Sequence, residues 1–213
     1  IDSLSCESLI LNQGKLTFYK KHPVICDDVI NLTKEKILQS TGEKQIDFII
    51  GGPPCQAFSI FGRRKGLEDP RGNLVFEYAR IIEELRPQGF LFENVFGLKT
   101  IHEGKLYDDL LNLLSFDGEY TVSAHEYEVA NFGVPQFRKR VIFIGHLGGN
   151  EIPPMPISHV PPNTIFNGYK PYKTAGLALI DLPEPVTNWN LHTSLNGHVG
   201  REHSKRIVER YEG

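Results

Sequence analysis

Residues Ile46-Asp47-Phe48-Ile49-Ile50 run directly into Gly51-Gly52-Pro53-Pro54-Cys55-Gln56-Ala57-Phe58-Ser59. The first five read as a buried strand, and the next five as a rigid turn that presents one cysteine. Gly51 and Gly52 let the backbone bend and allow close approach. Pro53 and Pro54 then fix φ and limit the wandering of the cysteine. In an open α/β sheet, ligands bind beyond the carboxyl ends of the strands, where such a turn stands. An isolated cysteine is most often a small core hydrophobe. The Gly-Gly-Pro-Pro lead-in points instead to a thiolate held for chemistry.

Outward from this stretch the chain alternates strand and helix patterns. Pro23-Val24-Ile25-Cys26 reads as a weak strand and Thr33 to Gln39 as a short helix. Leu74, Tyr78, Ile81, Ile82 and Leu85 recur at helical spacing until Pro87 stops them. Gly89 to Phe92 is the next apolar strand; Leu106, Leu110, Leu111 and Leu114 mark another helix. Thr121 to Val129 alternates loosely, and Val141 to Ile144 is again continuous and apolar. Such alternation predicts a largely parallel sheet with helices on both faces. The character changes after Gly148. Pro153, Pro154, Pro156, Pro161, Pro162, Pro171, Pro183 and Pro185 crowd one stretch, a density that breaks regular structure and reads as a linker or the entry to another lobe. A helical pattern returns over Ser204 to Tyr211. The expected organisation is a core over residues 1–148 and a Pro-rich linker opening a second region over 149–213.

With 213 residues, 40% hydrophobic and 23% charged, the chain has the composition of a globular protein with one sizeable core. No apolar run approaches the roughly 18 residues of a membrane span, and the start, Ile1-Asp2-Ser3-Leu4-Ser5, lacks the pattern of a signal peptide. Cys6, Cys26 and Cys55 form no disulfide framework, so a reducing, cytoplasmic setting is expected. A net charge of −3 argues against wholesale coating of nucleic acid but leaves room for a local basic surface.

Two further segments sit at strand boundaries. Glu93-Asn94-Val95 closes the strand that begins at Gly89, which puts a carboxylate at a strand end beside the one that bears Cys55. Alone it reads equally well as a solvated loop acid. Gln136-Phe137-Arg138-Lys139-Arg140 precedes the strand Val141 to Ile144. In an extended segment Gln136, Arg138 and Arg140 project to one side, either as an arginine fan for phosphate or carbonyl oxygens or as a charged guard on a strand edge.

In this order, Pro-Pro-Cys-Gln, Glu-Asn-Val and Gln-x-Arg-x-Arg resemble the C5-cytosine-specific DNA methyltransferases. Asp69-Pro70-Arg71-Gly72-Asn73-Leu74 and Asn131-Phe132-Gly133-Val134-Pro135-Gln136 extend the resemblance, which covers residues 17–147. It implies a Rossmann-like α/β sheet that binds S-adenosylmethionine, followed by the start of a target-recognition lobe, and double-stranded DNA as partner, with no metal. It implies Cys55 as the nucleophile that adds to carbon 6 of cytosine. Glu93 would bind the N3 and amine edge of the base, Arg140 its O2 carbonyl, and Arg138 would order the pocket or reach a phosphate. The base must be flipped out of the duplex to be reached. Gln56 and Ser59 would close over it, with Arg63, Arg64 and Lys65 on phosphates. For the cofactor the resemblance implies Asp28 at the adenine amine, Glu7 at the ribose, and Pro54 and Leu74 lining the pocket. As plain residues, Asp28 also suits the start of a turn and Glu7 an open surface.

The family's first motif, a Phe-x-Gly-x-Gly loop, has no counterpart before Glu7, and its last two motifs have none after Pro156. The expectation is the middle of a methyltransferase: a fragment, a chain with lost ends, or one half of a split enzyme whose complementary subunit supplies those motifs. Such a chain is expected to be inactive by itself. The competing readings are a transfer-RNA cytosine methyltransferase relative and a non-catalytic DNA-binding homologue. His192, His198 and His203 fit no zinc signature.

Overall fold

The structure, a computed structural model, describes residues 2–13, 23–54, 73–99, 104–164 and 168–182. The chain divides into two compact units, Ile1–Tyr172 and Lys173–Gly213. In chain order the first unit carries α1 (Ser3–Asn12), α2 (Lys34–Thr41), β1 (Phe48–Gly51), α3 (Asn73–Leu85), β2 (Gly89–Val95), α4 (Lys105–Ser115), β3 (Tyr120–Glu128), β4 (Lys139–Leu147), β5 (His159–Val160) and β6 (Lys170–Pro171). Of the second unit, the short helix α5 (Ala175–Leu179) is described, capped by the Thr174 side chain on the Leu177 amide.

The main sheet has the order β1-β2-β4-β3. β1 runs parallel to β2, with Phe48 opposite Gly89 and Gly51 opposite Phe92; β4 is antiparallel to both β2 and β3. The sheet is therefore mixed rather than largely parallel among the described residues. The cause is local: only residues 129–138 separate β3 from β4, too few for the crossover that a parallel pair requires. Pro23 to Cys26 is not a strand.

Helices α3 and α4 both pack on one face of the sheet. Val75, Tyr78 and Ile82 of α3 and Leu106, Leu110 and Leu114 of α4 are buried in one cluster with Phe90, Phe92 and Phe143. Tyr78 packs edge-on against Phe90, and Phe92 against Phe143, at centroid distances of 6.3 and 5.6 Å. The Tyr78 hydroxyl donates to the Leu91 carbonyl at 2.8 Å, and burial pushes its ionisation far up. Helices on both faces were expected; those described against the strands occupy this one. Phe143→Ala, at the centre of this cluster, is expected to cost about 3–5 kcal/mol by the loss of buried ring and the cavity left behind. Urea unfolding measures it, and a loss below about 1 kcal/mol would contradict this description of the core.

β1 is an edge strand of the described sheet, not a strand buried on both sides. Ile49 packs on the core, whereas Phe48 and Ile50 are 48% and 74% exposed. An apolar run gives the strand but not which face or edge is covered. The opposite face of β3 is crossed by a strap after β4. Thr121 Oγ1 donates to the Gly149 carbonyl, Ser123 Oγ accepts from the Ile152 amide, His125 Nε2 lies 2.6 Å from the Ile152 carbonyl, and Tyr127 Oη accepts from the Met155 amide. Alternate residues of one strand thus form a polar rail. It returns the chain from Leu147 to the end of the sheet where β2 finishes.

Candidate active site

The turn after β1 meets the end of β2. Neither Gly51 nor Gly52 has a positive φ; each is needed for close approach. A Cβ on Gly51 would lie 2.5 Å from the Tyr78 ring, and one on Gly52 would lie 3.0 Å from Glu93 Oε2. Asn94 Nδ2 donates to the Pro53 carbonyl at 3.0 Å. The turn is thereby clamped to the strand that carries Glu93.

Glu93 and Arg140 come together across the β2–β4 ladder. Val95 is opposite Arg140 and Glu93 is opposite Ile142, so Glu93 and Arg140 are diagonal neighbours on one face, within reach of long side chains. Arg140 Nε lies 2.5 Å from Glu93 Oε1, with side-chain exposures of 17% and 39%. The contact is one of charge and distance: the Nε hydrogen is not aligned as a hydrogen-bond donor. Arg140 Nη1 donates to the Lys139 carbonyl at 2.8 Å. The arginine fan read from the sequence does not extend further. β4 begins at Lys139, the Gln136 amide turns back to Val134, and the exposed Arg138 gives its backbone N–H to Glu128 at 2.6 Å. Only Arg140 of the three is brought to Glu93.

A second group of acids lies before α2. Asp28 caps a 3-10 turn over Val29–Asn31, its Oδ1 accepting from the Ile30 amide at 3.2 Å. Its neighbour Asp27 accepts from the Asn31 side chain and the Asp28 amide and ion-pairs with Lys36. Asn31, Lys36 and that amide together hold the Asp27 carboxyl down to about 2. Arg80 of α3 fixes the same turn from below, donating to the Val29 and Leu32 carbonyls while paired with Glu77 and Glu84. Glu7 is exposed on α1. The neighbouring Cys26 thiol pushes the ionisation of the Cys6 thiol up. Both thiols are free. Pro54 is exposed and Leu74 half-buried.

A family model for the C-5 cytosine-specific DNA methylases matches residues 6–211. The chain belongs to that family. It is 37% identical over 201 residues to the type II methyltransferase M.AquIA of Picosynechococcus, an alignment covering 87% of this chain and 78% of that protein. It is 35% identical to the type II methyltransferase M1.HphI of Haemophilus parahaemolyticus, over 90% of this chain but 49% of that protein. Among solved structures, the Dnmt2 methyltransferase of S. pombe matches with a TM-score of 0.51 and 21% identity, over 71% of this chain and 43% of that one. That likeness bears out the α/β methyltransferase fold.

Within this family frame, the structure places Glu93, Arg140, Pro54, Leu74, Asp28, Glu7 and Arg138, while Cys55, Gln56, Ser59, Arg63, Arg64 and Lys65 lie outside the described residues. His192, His198, His203 and the helix expected over 204–211 lie outside them too. Among the described residues no group of three or more acids, histidines and cysteines is placed to hold a metal ion, and no helix is long and apolar enough to cross a membrane. Sequence reasoning missed Asn94 and Asp27. Asn94 stands inside a quoted motif and Asp27 beside Asp28, yet their roles depend on partners that no local pattern names.

Proposed function

We propose that this protein transfers a methyl group from S-adenosylmethionine to carbon 5 of a flipped-out cytosine in duplex DNA, through a covalent adduct on Cys55. The observation that carries the reading is the Glu93–Arg140 contact at the end of β2, beside the turn that leads into Cys55. N3 and O2 are neighbouring positions of the cytosine edge, so groups that read them must stand side by side, as these two do. The Cys55 thiolate adds to carbon 6 and leaves carbon 5 electron-rich. Glu93 binds the N3 and amine edge and offsets the charge that develops on attack. Arg140 holds O2. Loss of the carbon-5 proton to a base then releases the thiolate. Arg138 orders the pocket or reaches a phosphate, Gln56 and Ser59 close over the base, and Arg63, Arg64 and Lys65 contact phosphates.

S-adenosylmethionine, when bound, supplies an electrophilic sulfonium methyl group. The residues described fit its nucleoside end. Asp28 uses Oδ1 for its cap, which leaves Oδ2 to accept from an adenine amine, and Glu7, exposed on α1, suits a ribose hydroxyl. Pro54 and Leu74 supply apolar lining. The catalytic core then spans residues 1–148, and 149–213 is the Pro-rich entry to the target-recognition region. The type II relatives support a modification role within a restriction system, and the proposed setting is the cytoplasm.

The test is covalent trapping. The full-length protein is incubated with S-adenosylmethionine and long random-sequence duplex DNA in which every cytosine is 5-fluorocytosine, beside an equivalent RNA. Fluorine at carbon 5 blocks the final elimination, so a denaturation-resistant adduct mapping to Cys55 is expected with DNA. An adduct with RNA alone would move the substrate to transfer RNA. No adduct with either, with any complementary subunit present, would overturn the catalytic reading.

A further inference from the structure

We infer that Asn94 is a positioning residue for the cysteine-bearing turn: its buried amide, with Gly52, holds Pro53 and Pro54 in register against the end of β2. Four observations carry this. The β1–β2 ladder ends at Gly51 opposite Phe92, so the residues that follow have no strand partner in that pairing. Pro53 and Pro54 have no N–H, and the turn must take its donors from elsewhere. Asn94 supplies one: it is 5% exposed, and its Nδ2 reaches the Pro53 carbonyl at 3.0 Å. Its own orientation is set by Oδ1, which accepts from the Val95 amide at 2.9 Å.

The period of the strand explains the division of labour. Successive residues of β2 face opposite sides. Glu93 stands on the face with Arg140, while Asn94 turns into the side of Phe90 and Phe92 and clamps the turn. The missing Cβ of Gly52 lets that turn rest against the Glu93 carboxylate. Cys55 is the next residue in the sequence, so the clamp bears on the proposed nucleophile through Pro53 and Pro54.

The inference rests on the Cys55 reading in its kinetic arm only, and the test keeps the two apart. Asn94→Ala and Asn94→Asp are compared with the wild-type full-length protein. The aspartate keeps the size and the acceptor for the Val95 amide but donates to Pro53 only when protonated. Both variants are expected to lower the single-turnover rate at pH 8 by about 100-fold, the scale of a small misplacement of a reacting group. DNA affinity should remain within about twofold, since its phosphate contacts are not touched by the lost bond. As pH falls, the rate of Asn94→Asp relative to wild type should recover while that of Asn94→Ala does not, a signature that a merely structural asparagine would not give. In the absence of DNA, hydrogen exchange at Gly51 and Gly52 should quicken about fivefold in both variants. If Asn94→Ala fails to fold, the near-isosteric Asn94→Asp carries the same readouts. Unchanged rates and unchanged exchange would overturn the inference. If wild type itself transfers no methyl group and forms no adduct, the proposed function falls, and the exchange comparison still decides the clamp.

Discussion

Cys55→Ser is expected to abolish methyl transfer, with a loss of at least about 10⁴-fold in the single-turnover rate, the scale seen when a nucleophile is removed from other enzymes. The change exchanges sulfur for oxygen and little else. A thiol with an ordinary pKa near 8.5 keeps a useful thiolate fraction at neutral pH, and the thiolate is the attacking species. A serine hydroxyl has no such fraction and needs a base placed against it. No covalent adduct with 5-fluorocytosine DNA should form. DNA affinity should stay within about twofold, because phosphate contacts supply most of it and they are made elsewhere. The unfolding midpoint should also hold, since the clamp of Asn94 on Pro53 does not involve position 55. Methylation within about tenfold of wild type would remove Cys55 from the nucleophile's role.

The elements that periodicity describes were legible before the structure. Helices α3 and α4, and strands β2 and β4, stand where apolar spacing puts them, because one face of each meets the same aromatic cluster. Strand direction was not legible. Whether β4 runs with or against β2 depends on the length of the β3–β4 connection and its turn, not on the apolar residues themselves. α1 gave no signal either: Leu4, Leu9, Ile10 and Leu11 are exposed and mark no buried stripe. At the site, Glu93 and Arg140 could be singled out because both lie at strand ends with a charge to spare. The role of Asn94 runs through a backbone carbonyl 41 residues away, and no spacing rule reaches that far. Asp27 and Asp28 are equivalent on paper. Lys36 and Asn31 engage the first, leaving the second with an oxygen for another partner.

Glu93→Gln isolates the charge at the heart of the proposed mechanism. Glutamine keeps the length and shape of the side chain and can still accept and donate hydrogen bonds at the base edge. It cannot share a proton with N3 to offset the negative charge that builds on the ring when the thiolate adds. Electrostatic groups aimed at developing charge are commonly worth about 10²–10³-fold, and a loss of that size is expected in the single-turnover rate, with DNA affinity nearly unchanged. The stability change should be smaller. Removing one partner of a fully buried pair costs about 3–5 kcal/mol, but Glu93 is 39% exposed and water screens the Arg140 charge left behind. A value near the exposed-pair range, about 1 kcal/mol or less, is expected in urea unfolding. The two quantities therefore separate: a large kinetic loss with a small stability loss places Glu93 in the chemistry, whereas the reverse makes the pair a structural tie. Combining Glu93→Gln with Arg140→Gln sharpens the distinction. If the two side chains hold one base as a unit, the double variant should be little slower than the worse single one. Independent, multiplying losses would mean that their 2.5 Å contact has no part in the reaction.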